Sequence, residues 1–162
     1  MKKLVFLTLC LLISFSANAK KKSEFTKVPA GSNVTSLGMA LDASYDPKLD
    51  DLVRGYKIVT VAITNNSIDI LQMDAENDVW WVVDIKGSKH KAVIDIRKKS
   101  PKLYQELPTK LRNLITYPIM IQVGETKAID LFIPKNVNLD GFNSVRFKNE
   151  DTGKAFEIVT RE

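Results

Sequence analysis

The chain has 162 residues, with 24 basic and 19 acidic side chains, a formal charge of +5, one histidine and one cysteine. That length suits a single domain with its own core. One imidazole and one thiol leave little for zinc, thiol or Ser-His-Asp chemistry, and the charge falls short of the basic face that nucleic acid demands.

The first stretch, MKKLVFLTLCLLISFSANA, sets Lys2 and Lys3 before an apolar run from Leu4 to Phe15 and closes on Ala17-Asn18-Ala19. This is the pattern of a secretory signal peptide over residues 1–19. The run is shorter than the roughly 18 to 20 residues that cross a bilayer, and no later segment approaches that length, so the mature chain is expected to be periplasmic or secreted, without a transmembrane segment. Cys10 follows Leu9, where a lipoprotein signal carries a small residue, and reads as an apolar filler that leaves with the leader. Loss of Lys2 and Lys3 brings the balance to 22 basic against 19 acidic, or +3, and leaves the mature chain free of cysteine. Residues 20–33, opening on Lys20 to Lys22, read as a flexible basic arm, and residues 34–162 as the folded domain.

Along that domain the dominant period is two, the mark of strands with one buried face. Met39 and Leu41, with Leu37, fit a first strand, and YDPKLDDLVRG is a loop around Asp46-Pro47. In YKIVTVAITNNS, Val59, Val61 and Ile63 share a face until Asn65-Asn66-Ser67 stops the run. In VWWVVDIK, alternation groups Val79, Trp81, Val83 and Ile85 as the inner set and leaves Trp80, Val82, Asp84 and Lys86 outside. Gly87-Ser88 reads as a two-residue turn, giving a hairpin of residues 79–86 and 89–97 whose second strand buries Ala92, Ile94 and Ile96. SPKLYQELPTKLRNLITYP breaks the alternation. Leu107, Leu111, Leu114 and Ile115 fall at helical spacing around Pro108 and stop before Pro118, which predicts one short connecting helix. Strands resume in YPIMIQV and in KAIDLFIP, where Ile129, Leu131 and Ile133 alternate. After Asp140-Gly141, FNSVRFK and AFEIVT form a closing hairpin around Asp151-Thr152-Gly153.

Seven or eight short strands with turn signals at close intervals describe an all-β antiparallel sandwich of immunoglobulin-like class. The order of VAITNNS, WWVVDIKG, a Val-Gly-Glu-Thr turn, LFIP and VRF resembles the immunoglobulin-like domain of unknown function found in secreted and lipid-anchored bacterial proteins. The resemblance covers about residues 55–148. It implies a fold and an extracytoplasmic address, and it brings no catalytic residues.

No catalytic signature stands out. His90 lies between Lys89 and Lys91, no Gly-x-Ser-x-Gly elbow exists, and the glycines are scattered singly, so no phosphate loop and no cofactor is called for. Two acidic stretches, one with Asp42, Asp46, Asp50 and Asp51 and the other with Asp74, Glu76 and Asp78, offer oxygens for calcium or else act as solvated turns; neither matches an EF-hand loop. The basic cluster Arg97-Lys98-Lys99 with Lys102 reads as a solvated loop.

The paired tryptophans are what remains. Trp81 is placed in the core, and Trp80 on the outer face with Val82 and Lys86, unless the register shifts by one and exchanges them. The outer indole is covered either by residues 103–116 or the N-terminal arm, or by a ligand. The function expected is a non-enzymatic binding module for an envelope protein or glycan, through Trp80, Val82 and Lys86 or by strand addition at a sheet edge. The alternatives are a small polysaccharide hydrolase or lyase with a carboxylate pair, and a structural spacer.

Overall fold

A computed structural model describes residues 24–31, 33–34, 38–114, 117 and 119–160. The leader with Cys10, the cluster Lys20 to Lys22, Leu37, Ile115 and Pro118 lie outside these residues, as does the Leu114 side chain. In chain order the elements are β1 (Thr26–Pro29), β2 (Asn33–Val34), β3 (Met39–Tyr45), β4 (Tyr56–Asn65), β5 (Leu71–Met73), β6 (Asp78–Val83) and β7 (Lys89–Lys91). Then come α1 (Ile96–Lys99), α2 (Pro101–Glu106), α3 (Thr109–Leu114), β8 (Ile119–Ile121), β9 (Thr126–Pro134), β10 (Ser144–Asn149) and β11 (Ala155–Val159). The chain is mostly β, with more and shorter strands than alternation predicts.

Two sheets carry the fold, in the orders β1-β11-β10-β6-β7 and β2-β3-β4-β9, beside a ribbon of β5 and β8. Alternation explains why they share one core. Val59, Val61 and Ile63 of β4 and Ile129 and Leu131 of β9 face Trp80 and Val82 of β6, Val145 and Phe147 of β10, and Phe156 and Ile158 of β11 in one cluster. Neighbours pair antiparallel except β1, which runs parallel to β11 with Val28 beside Ile158. Residues 26–29 of the expected arm are thus an edge strand.

Asn65 ends β4 by closing its own hydrogen bonds. It is fully buried. Its Nδ2 donates to the Asp69 and Ile121 carbonyls, each at 2.8 Å, while Oδ1 accepts from Ser67 N at 3.0 Å and Ser67 Oγ at 2.7 Å. A buried amide satisfied on both ends adds stability, where an unpaired one would cost about 1 to 3 kcal/mol. It also ties the β4 turn to β8.

The single helix of the sequence reading is three. Asp95 caps α1 by accepting from Arg97 N and Lys98 N, which ends the strand at Lys91 and makes Ile96 a helical residue. Pro101 opens α2, and Leu107 takes an extended conformation (φ −69°, ψ 141°), as a residue before proline must. Leu107 and Ile96 are buried in a second cluster with Val53, Ile58 and Phe132, where Leu111 packs at its border. The helices therefore cover the outer face of the β4–β9 pair.

Between the two sheets runs one stretch of backbone. β7 pairs with β6 at the edge of the first sheet, and Ala92 N still donates to the Trp80 carbonyl at 2.9 Å. Val93 then exchanges two 2.9 Å hydrogen bonds with Phe132 of β9, the edge of the second sheet.

Candidate ligand-binding cleft

The two tryptophans exchange the roles alternation gives them. Trp80 is 1% exposed and Val82 is 0% exposed, both in the main core, so neither offers the outer-face contact expected of them. The reason is where β6 ends. Asp84, Ile85 and Lys86 belong to the turn, so their polarity says nothing about the strand's faces. Gly87 N donates to the Asp84 carbonyl and Asp84 N to the Ser88 carbonyl, with Gly87 at φ +83°, which makes a three-residue loop with glycine in the left-handed position. Lys86 is exposed on that loop, where its backbone N donates to Asp84 Oδ1 at 2.9 Å. Asp84 Oδ2 also meets His90 Nε2 at 2.9 Å. That hydrogen bond draws the Asp84 carboxyl below its ordinary range against the opposing effect of desolvation.

Trp80 belongs to a buried polar chain. Its Nε1 donates to the Tyr117 hydroxyl at 3.3 Å, the hydroxyl donates to Asp78 Oδ2 at 2.5 Å, and Asn149 Nδ2 donates to Asp78 Oδ1 at 2.7 Å. Asp78 Oδ2 further accepts from Asp74 N at 2.8 Å. Burial, then the hydrogen bond to Asp78, pushes the Tyr117 hydroxyl well above the usual tyrosine range.

The outer indole is Trp81. It shares a face with Arg146, its partner on β10, and Glu157, partner of Arg146 on β11. Phe25 stands edge-on to it, with centroids 6.2 Å apart and planes at 86°. The Arg146 guanidinium lies 5.1 Å from the Phe25 centroid. The arm before β1, and not the helices, therefore covers this indole.

A cleft of about 630 Å³ lies along the crossing between the sheets. Ala92, Val93 and Ile94, the residues of that crossing, form its floor, and Tyr56, Ala75 and Pro134 complete the apolar lining. Its rim carries Lys91, Lys98 and Lys99, all exposed. The sequence shows Lys98 and Lys99 as a charge cluster, but Lys91 joins them only because the chain crosses between sheets here. Lys98 Nζ reaches Glu76 Oε1 at 3.2 Å. Among the described residues Lys91 and Lys99 enter no ion pair.

Asp95 is the carboxylate among the lining residues, and both of its oxygens already accept hydrogen bonds. It caps α1 and accepts Arg97 Nε at 3.1 Å on Oδ1 and Arg97 Nη2 at 3.3 Å on Oδ2. Burial pushes this carboxyl up, but the Arg97 hydrogen bond and the helix amides outweigh it and hold the group below the usual range. Arg97 also donates to the Tyr117 carbonyl, so the cleft wall is anchored to the buried chain under Trp80. The arrangement can bind anionic groups on a rim over an apolar floor.

The acidic stretches have partners of their own. Asp50 accepts from the Tyr45 hydroxyl, Asp51 pairs with Lys135, Asp42 accepts from Ala43 N and Asp46 from Lys48 N. Among the described residues no group of three His, Cys, Asp or Glu is placed to hold a metal ion, and no helix is long and apolar enough to cross a membrane. Comparison with protein-family models, with curated proteins and with solved structures finds no match for this chain. Fold and cleft therefore define a class: an all-β protein of two sheets on one core, with a lysine-rimmed cleft where the chain passes between them.

Proposed function

We propose that the protein is a secreted, non-enzymatic binding module of the bacterial envelope, immunoglobulin-like in fold, whose cleft takes an anionic envelope glycan. The observation that carries the reading is the cleft itself: three lysines on the rim, an apolar floor with Tyr56 in the lining, and a single lining carboxylate, Asp95, that is held by Arg97. Sugar rings pack their apolar faces on such a floor while their carboxylate or phosphate groups meet the ammonium rim. The leader-like first 19 residues support the extracytoplasmic address, and two sheets on one core support the immunoglobulin-like reading. A hydrolase or lyase needs an acid and a base at the bond it cleaves, and Asp95 is committed to α1 and Arg97.

The test is retention of the mature chain on immobilised polygalacturonate beside a neutral glucan of equal length, with Lys91, Lys98 and Lys99 changed together to glutamate in a variant. The native chain is expected to bind the polyuronate alone, weakening as salt rises, and the variant to lose about tenfold in affinity. Equal retention on both polymers, or unchanged binding by the variant, refutes the reading. Release of oligosaccharide products would establish the enzyme alternative instead.

A further inference from the structure

A second hollow lies under the helices, on the outer face of the β4–β9 pair, and its chemistry has the opposite sign. It holds about 150 Å³, between Leu49, Leu52 and Val53 of the loop before β4, Ile58 and Phe132 of the sheet, and Leu111 of α3. Asp130 is the polar residue in its lining. Thr60, its cross-strand partner, donates its hydroxyl to Asp130 Oδ1 at 2.9 Å. Among the described residues Asp130 enters no ion pair. Burial raises this carboxyl above its ordinary range and the Thr60 hydrogen bond draws it only part of the way back.

A partly desolvated carboxylate without a counter-charge is costly, and apolar walls give ordered water few partners that could relieve it. A cavity on the order of 150 Å³ lined by leucine, isoleucine and phenylalanine accepts a benzene-sized guest. What this hollow lacks is a positive charge. We propose that it is a binding site for a small hydrophobic cation, with an ammonium group on Asp130 and a benzene-sized apolar body against Leu49, Ile58, Leu111 and Phe132. Leu52, 40% exposed, stands at the mouth. An anion is excluded by the same carboxylate, so this ligand is distinct from the one the lysine cleft takes, and either reading can fail alone.

Benzylammonium is a suitable probe and benzyl alcohol its neutral counterpart. Both are titrated into the native chain and into Asp130→Asn, followed by calorimetry and by backbone amide shifts. The native chain is expected to bind the ammonium about tenfold more tightly than the alcohol, as a charge-assisted hydrogen bond permits. The shifts should be confined to the residues around the hollow. Asp130→Asn should bind both alike. Equal binding of the two probes by the native chain, no binding of either, or shifts elsewhere overturns the proposal. The comparison within the native chain decides it even where the variant does not fold.

Discussion

The Tyr117 hydroxyl donates to Asp78 Oδ2 at 2.5 Å inside the core, and on its other side it accepts the indole proton of Trp80. A carboxylate that is 3% exposed is thereby tied to the largest side chain of the core. Removing the hydroxyl leaves Trp80 Nε1 without this acceptor and takes one donor from Asp78. Tyr117→Phe is therefore expected to destabilise by about 1 to 3 kcal/mol. Urea unfolding followed by tryptophan emission measures this, and a midpoint equal to the native one would refute it.

The same hydroxyl governs behaviour in alkali. Its pKa is raised in the folded state, so its contribution is complete below the unfolded tyrosine pKa of about 10. Above that pH the unfolded chain releases a proton that the native chain keeps, and stability falls as pH rises. Tyr45 acts in the same direction, raised by burial and by its hydrogen bond to Asp50. Urea midpoints between about pH 9 and 11 should decline less steeply in Tyr117→Phe than in the native chain. Identical slopes would remove Tyr117 from the account.

Phe25 shields Trp81 and should be separable from the core. Phe25→Ala is expected to cost about 0.5 to 1.5 kcal/mol beyond lost area and to open Trp81 to an aqueous quencher, while Trp80 stays protected. Emission quenching by iodide in single-tryptophan backgrounds reads each indole alone. No change at Trp81 would mean that the edge-on contact contributes nothing to its cover.

Glu76 restrains one lysine of the cleft. Both partners of the Glu76–Lys98 pair are largely exposed, so the pair contributes little to stability. Glu76→Gln is expected to leave the melting temperature within about 1 °C and to strengthen polyuronate binding about twofold, because Lys98 is released and a repelling charge is gone. Weaker binding would show that Glu76 positions the lysine and does not compete for it.

How far the sequence is legible depends on whether a strand's neighbours are polar. In β4, Thr60, Ala62 and Thr64 mark the outer face, and the buried trio Val59, Val61 and Ile63 follows from period two. In β6 both faces are apolar: Val79 and Val83 are buried opposite Trp80 and Val82, so alternation inside the strand carries no phase. The turn residues Asp84 and Lys86 then set it wrongly. The helical segment is legible as a break, but Pro101 and Pro108 divide it where spacing alone runs through. Of the cleft, the lysine cluster is visible and its union with Lys91 is not. Asp130 is hidden for another reason: an outer-face aspartate in KAIDLFIP looks solvated until the loop before β4 and Leu111 close over it.

The Val93–Phe132 exchange, two hydrogen bonds between segments far apart in sequence, bears on motion. One piece of chain is held by Trp80 on one side and Phe132 on the other, both within clusters of buried side chains, so the sheets cannot shear past each other without breaking it. The amide protons of Ala92, Val93 and Phe132 should then exchange with solvent only as fast as the whole molecule opens. A ligand settling along that floor would meet a surface that has no slack to lose, and the conformational entropy lost on binding would come from the ligand and the three rim lysines.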